Sequence, residues 1–288
     1  MYFILKYIVN IQMYCNFFVI ICLHESRIRT SILYLASMKI TLEHAQKNWF
    51  ADLSKPIDIS IPMFASEKSV RAWYVDPLIM EPVKMGNWIG SIAKGASVNF
   101  NNIFFNPHAH GTHTECYGHI STEKVTVNEA LKQFAFTSQV ITIAPEILEN
   151  GDGVIQLKQL KESLGTDIPK AVIIRTSPNG IEKLIKNYSN TNPTYLHFEA
   201  AIWLREQGVE QLLIDTPSVD REEDGGALLA HKAFWNYPES PRINACITEL
   251  VFVPNSIVDG LYLLHLSFAS FENDAAPSKP ILYAMSTI

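Results

Sequence analysis

The chain has 288 residues, 48% of them hydrophobic and 18% charged, which is material for a large α/β core and excludes a disordered chain. Its net charge of -6 comes with no run of like charges and no basic stripe, so the electrostatic footprint of a nucleic-acid binder is missing. Four scattered cysteines, Cys15, Cys22, Cys116 and Cys246, form no CxxC pair, and reduced thiols in a cytoplasmic protein are the expectation.

Residues 1–37 are hydrophobic, but Lys6, Asn10, Gln12 and Asn16 interrupt them, leaving no clean span of about eighteen apolar residues for a membrane helix. No small-residue cleavage site marks a signal peptide either. Met38 opens a stretch that reads like an ordinary soluble N-terminus. The expectation is a start placed too far upstream, with a weak anchor or signal as the second reading, and one domain over 38–288.

From Met38 onward strand-like and helix-like stretches alternate. PIDISIPM places Ile57, Ile59 and Ile61 at strand spacing, and ASVNFNNIFFN, QVITIAP, KAVIIRT and VEQLLIDTP read as further strands. LHFEAAIWLREQG sets Leu196, Ala200, Trp203 and Leu204 on one helical face, and Gly208 follows where a helix would cap. GGALLAHKAFW reads as helix, and DGLYLLHLSFA as a late strand covered on both faces. The class is α/β, a mixed sheet with packed helices.

One window departs from this pattern. HAHGTHTECYGH, from His108 to His119, holds four of the nine histidines and a glutamate. Pro107 breaks the preceding strand and Gly111 relaxes the backbone, so His108, His113, Glu115 and His119 can converge from a turn onto one point. Imidazoles with a carboxylate suit a divalent ion such as zinc, manganese or iron. For the lone His24, His44, His197 and His265 a surface or capping role is the better reading. Cys116 reads as a small packed residue, Thr112 as a strand residue with a locally satisfied hydroxyl, and Asp215 and Asp220 as turn residues capping backbone amides. Phe104, Phe105, Trp73 and Trp235 read as core or rim.

These motifs resemble the cyclase family of metal-dependent hydrolases, which includes kynurenine formamidases and isatin hydrolase and carries an HxGTHxDxPxH motif. Gly111, Thr112 and His113 match GTH, Glu115 takes the acidic place and His119 is the last histidine. DLSKPIDISIP resembles the family's opening strand, and EAAIWLREQGVEQLLIDTPSVD its helix, strand and DTPSxD turn. The resemblance implies a swivelling β/β/α-like single domain. It also implies two further metal ligands, His231 in LLAHKAF and Glu249 in ITELVF. Three departures stand out. The family's first histidine falls on Ala109, so His108, through a one-residue bulge, is expected to supply that ligand, with His110 as the alternative. Glu115 replaces an aspartate, Tyr117 replaces the proline, and WNYPESPRI looks like an extra loop near the site.

The implied activity is hydrolysis of an amide C–N bond, in an arylformamide or a cyclic amide, by water activated on one or two divalent ions, zinc first and manganese second. No GxSxG suggests a serine nucleophile. His110 or His231 is expected to protonate the leaving nitrogen. The resemblance also implies a homo-oligomer acting on a small molecule, with no nucleic-acid or membrane partner. Two other readings fit the window. HAHGTHTE matches the HxHx4E core of a cupin dioxygenase, although Asn102 and Thr122 stand where that pattern wants glycines and the helix at 196–208 suits a jelly roll badly. A non-catalytic metal-binding member of the cyclase fold is the other.

Overall fold

The computed structural model describes residues 38–287, and the expectation for residues 1–37 lies outside them. The β-branched runs become strands: β1 (Lys39–His44), β2 (Lys47–Asp52), β3 (His113–Glu115), β4 (Ala135–Ile143), β5 (Ala171–Thr176), β6 (Gln211–Ile214), β7 (Cys246–Glu249), β8 (Gly260–Phe268) and β9 (Ala275–Thr287). Seven of them close on themselves in the order β9-β8-β4-β5-β6-β7-β3, because β3 pairs with both β7 and β9. Closure leaves no open edge on the ring. β1 and β2 form a hairpin that extends the far end of β9.

Within the ring β4, β5, β6 and β7 run parallel, and parallel neighbours need crossovers. The helices α1 (Leu157–Leu164), α2 (Phe198–Glu206) and α3 (Leu229–Trp235) lie on those three crossovers. These helices and the four parallel strands set the molecule apart from an antiparallel, helix-free cupin barrel.

Every residue of β5, β6 and β7 is buried, as expected of strands covered on both faces. Val172, Ile174, Leu212 and Ile214 pack outward under Leu160, Leu204 and Phe234 of the helices. Ile173 and Leu213 pack into the barrel against Val140, Leu264 and Leu282. The alternation fixes the register, because a one-residue slip would exchange the two cores.

The ASVNFNNIFFN segment does contain a strand, but it lies outside the barrel. Asn101–Phe104 pairs with Ile79–Pro82 as a separate two-stranded ladder. Phe104 is 55% exposed, so of its two readings, core or rim, the core one falls. Among the described residues no helix is long and apolar enough to cross a membrane.

Candidate metal centre

β3 is only three residues long, yet it is the strand that closes the barrel. Its alternation puts His113 and Glu115 on one face and Thr114 on the other, where the Thr114 hydroxyl meets that of Thr248 at 2.8 Å. In the ladder His113 stands opposite Glu249 of β7, and Glu115 opposite Ile247. Ile247 packs under the helices, so the face it shares with Glu115 looks toward α3 and His231.

The segment before β3 is held by specific bonds. Asn106 turns the chain after Phe105 by accepting from the amides of His108 through its side chain and of Ala109 and His110 through its carbonyl. Gly111 has φ +153°, and a Cβ there would sit 2.8 Å from Met63 Cγ, so both its conformation and its surroundings call for glycine. Thr112 does not satisfy its hydroxyl locally as expected. It donates to the Leu250 carbonyl and accepts from the Ile61 amide, tying three distant segments together. The 3-10 turn Tyr117–Ile120 then brings His119 back toward Glu115.

The structure brings together His108, His113, Glu115, His119, His231 and Glu249. His231 Nε2 lies 3.0 Å from Glu115 Oε1 and 3.8 Å from Glu249 Oε1. His108 Nδ1 lies 3.0 Å from Glu115 Oε2, and the Nε2 atoms of His113 and His119 each lie 4.0 Å from that oxygen. The four rings thus turn one nitrogen inward around Glu115, while the other is anchored outside. His231 Nδ1 bonds Asp220 Oδ2 at 2.6 Å, His113 Nδ1 donates to the Gly111 carbonyl at 3.0 Å, and Asp274 Oδ2 holds His108 Nε2 at 2.8 Å and His119 Nδ1 at 3.2 Å. Asp220 is itself held by the amides of Ala230 and His231 at the start of α3. The expected amide-capping role is present, and with it a second one, orienting His231.

Charge follows from this packing. Burial works against the Glu115 carboxylate, yet the charge of His119 and the bonds from His108 and His231 hold its pKa well below the usual range. Burial likewise disfavours a charged His231, but the bonds to Asp220 and Glu115 raise its pKa well above 6.5. For His108 the bonds to Asp274 and Glu115 overcome burial and raise it to about 10. Asp274 is pulled down by His108 and His119, and Asp220 by His231 against the cost of its burial.

A cavity of about 310 Å³ opens above the cluster, with Trp73, Asn106, Arg221 and Leu228 on its walls and the histidines and carboxylates on its floor. Trp73, read as core or rim, packs on a core cluster at the wall of this cavity, and Trp235 is core, fully buried with its indole N–H on the Ala245 carbonyl. The WNYPESPRI segment contributes no residue to the lining, but its Trp235 ring lies 5.2 Å from that of His231.

His110 is not brought to the cluster. Its Nδ1 accepts from the Asn106 amide and its Nε2 donates to the Asp76 carbonyl, both at 2.8 Å, so neither nitrogen is free to bind an ion or pass a proton. Cys116 is buried with its sulfur on the Val125 carbonyl. Burial pushes its thiol up to about 12, and it behaves as the packed residue expected. Asp274 is the member that sequence reasoning missed. It sits in FENDAAP, where nothing local separates it from an ordinary loop aspartate.

The donor set fits a divalent ion. His113 Nε2 is buried with no hydrogen-bond partner, although Glu249 Oε2 is only 3.4 Å away. A buried imidazole nitrogen left unbonded among carboxylates is costly unless a cation belongs there. Three overlapping triples have ligand atoms within 4.8 Å of one another: His108, His113 and Glu115; Glu115, His119 and His231; and His108, His119 and Asp274. Glu115 is shared by the first two, as a bridge between two ions would be.

Comparison with known proteins agrees with this architecture. An isatin hydrolase bound to the product analogue thioisatinate has a TM-score of 0.58 at 12% identity, over 81% of this chain and 93% of that one. Isatin hydrolase A from Labrenzia aggregata, bound to benzyl benzoate, gives 0.58 at 14%, over 81% and 94%. A potential metal-dependent hydrolase with cyclase activity gives 0.53 at 15%, over 80% and 97%. At these identities the likeness establishes the fold. No curated protein matches the chain. The cyclase family model matches residues 51–221, a span that includes the histidine window and the DTPSVD turn, and the chain belongs to the cyclase family.

Proposed function

We propose that this protein is a metal-dependent amidohydrolase that opens the C–N bond of an arylformamide or a cyclic amide. The observation that carries the reading is the set of inward-turned nitrogens around Glu115, with His113 Nε2 buried and unbonded among them. His108, His113, Glu115, His119, His231 and Glu249 would hold one or two divalent ions, zinc before manganese. A divalent ion bound there supplies Lewis-acid chemistry, polarising a carbonyl and making water nucleophilic at neutral pH.

The chain's own groups supply the rest. Glu115 and Glu249 keep the floor anionic, and Asp220 fixes His231 in the tautomer whose Nε2 faces inward. His119 is the most exposed of the four rings, with its side chain 33% accessible. Its Nδ1 is anchored on Asp274, so Nε2 is the atom turned inward. Of the two expected proton donors, His110 has both nitrogens committed to the backbone, which leaves His231, held on Asp220. Trp73 and Leu228 give the cavity an apolar wall suited to an aryl group.

Exposed apolar side chains on the outer ladder and its surroundings, among them Ile79, Phe100, Ile103 and Phe104, support a homo-oligomer. Light scattering on the protein and on Phe104→Glu tests that assembly. The activity is tested by assaying metal-loaded protein against arylformamides and cyclic amides, with elemental analysis of the same sample. Metal-dependent turnover of either class supports the reading. Bound metal with no turnover on both classes would leave a metal-binding, non-hydrolytic member of the fold.

A further inference from the structure

The family's first histidine position is held here by Ala109, and His108 stands one residue further from the Gly111–Thr112–His113 segment. Its ring meets the cluster the opposite way round from its neighbours. His113, His119 and His231 turn Nε2 inward and anchor Nδ1 outside. His108 turns Nδ1 inward, 3.0 Å from Glu115 Oε2, and leaves Nε2 outside, 2.8 Å from Asp274 Oδ2.

Building on the metal reading above, we propose that His108 is an Nδ1 ligand and that Asp274 is the positioning residue that makes this displaced histidine competent. Nδ1 lies one bond nearer the backbone than Nε2, so presenting it changes the reach of the ring. A histidine in a shifted place can then offer a nitrogen to the same point. Such a ring needs its outer nitrogen fixed, because an imidazole free to flip would present carbon half the time. A carboxylate on the outer nitrogen is the usual device for this.

Asp274 is well placed for the task. It immediately precedes β9, its carbonyl accepts from the Cys116 amide, and Asn273 accepts from Val127. Its neighbour Ala275 pairs with Glu115 in the barrel-closing ladder. The pairing that fixes Glu115 therefore also fixes the carboxylate that sets His108. The same Oδ2 accepts from His119 Nδ1, and the His108 and His119 rings are stacked with centroids 4.1 Å apart, so one residue orients both.

The experiment is zinc and manganese affinity by chelator competition on stripped and reloaded protein, with stoichiometry, for the wild type, His108→Asn, His108→Gln and Asp274→Asn. An asparagine places its side-chain oxygen near the Nδ1 position and a glutamine near Nε2. The expected result is that His108→Asn keeps the wild-type stoichiometry and His108→Gln loses metal. Asp274→Asn should keep stoichiometry with affinity about 10–100-fold weaker, and the visible spectrum of its cobalt form should shift. Melting curves of the metal-free variants check that each is folded, and Asp274→Glu should recover part of the affinity.

Metal kept by His108→Gln and lost by His108→Asn would overturn the Nδ1 assignment. Loss of a whole ion equivalent in Asp274→Asn would make Asp274 a ligand and overturn its positioning role. Wild-type affinity in all variants would defeat this inference alone, whereas a wild type that binds neither ion would defeat the metal reading beneath it.

Discussion

Asp215 and Asp220 stand at the two ends of one buried turn after β6, and their surroundings differ in kind. Asp215 accepts from the Thr176 amide, the Thr176 hydroxyl and Lys183 Nζ at 2.8, 2.9 and 2.7 Å. Lys183 spends its other protons on the Thr176 carbonyl and on Asn179. Burial pushes the Asp215 carboxyl up and the lysine pulls against it, but the charges balance and the donors are used. Asp220 belongs instead to a group of four carboxylates, with Glu115, Glu249 and Asp274, whose hydrogen-bonded side-chain partners among the described residues are histidines. Burial and charge are common to both networks, and what sets the second apart is a buried imidazole nitrogen without a partner, His113 Nε2.

Breaking each network should therefore have different consequences for metal. Glu115→Ala removes the shared carboxylate of two ligand triples, and the expected outcome is loss of metal and of turnover by at least about a thousandfold, with the metal-free protein destabilised as well because His108 and His231 lose a buried counter-charge. His113→Ala should lose metal in the same way. Lys183→Met leaves Asp215 buried and unpaired, which costs about 3–5 kcal/mol, while metal stoichiometry of the folded fraction stays at the wild-type value. Urea unfolding and elemental analysis on both variants separate the two. Metal loss in Lys183→Met without destabilisation would remove the distinction.

How much of this contrast the sequence carried can be argued residue by residue. The barrel strands were legible because β-branched runs such as KAVIIRT stand out, but their closure was not. It depends on β3, three residues whose pairing partners lie more than a hundred positions away. The histidine window was legible through its density of donors, and His231 and Glu249 only through family resemblance. Asp274 carries no local signal, since its role comes from the β9–β3 pairing. His110 was misleading for the same reason that His108 was visible: density marks a window but does not say which rings point in.

Acidity sharpens the comparison further. In the metal-free protein His108 and His231 have pKa values above their ordinary 6.5, about 10 for His108. Their contribution to stability is complete below pH 6.5 and is lost as pH rises through the folded values. Glu115, Asp220 and Asp274 are lowered from 4.5, 3.8 and 3.8, so their contribution is present above those values and lost as pH falls. Metal-free protein should thus be most stable between about pH 4.5 and 6.5 and melt earlier on either side. Metal needs neutral imidazoles, so the rise in melting temperature on adding zinc should grow from pH 6 to 8. A metal-induced shift that shrinks over that range would contradict the cluster as the binding site.

His110 tests where the open network ends. It bonds only backbone, the Asn106 amide and the Asp76 carbonyl, and so belongs with the closed kind despite lying among the ligands. His110→Ala should keep full metal stoichiometry and lose about 1–3 kcal/mol of stability, because two partners are left unsatisfied.

The smallest effect concerns the wall that His110 helps to hold. Trp73 and Tyr74 both have φ near +60°, a conformation that costs bulky residues roughly 1–2 kcal/mol each. Three bonds keep the segment there: Ala72 N to the Ala109 carbonyl, Tyr74 N to Ser189, and His110 Nε2 to the Asp76 carbonyl. Two of the three come from the histidine window itself, so the loop that carries the ligands also sets the indole on the cavity. Trp73→Leu keeps the strained backbone and an apolar side chain but removes the aromatic face. An aryl substrate stacked on that face should then show KM raised up to about tenfold, the worth of an aromatic contact, with kcat and metal affinity unchanged. A small aliphatic formamide, which cannot stack, should show no change in KM. Equal losses for both substrates would mean that the indole shapes the cavity without contacting the aryl group.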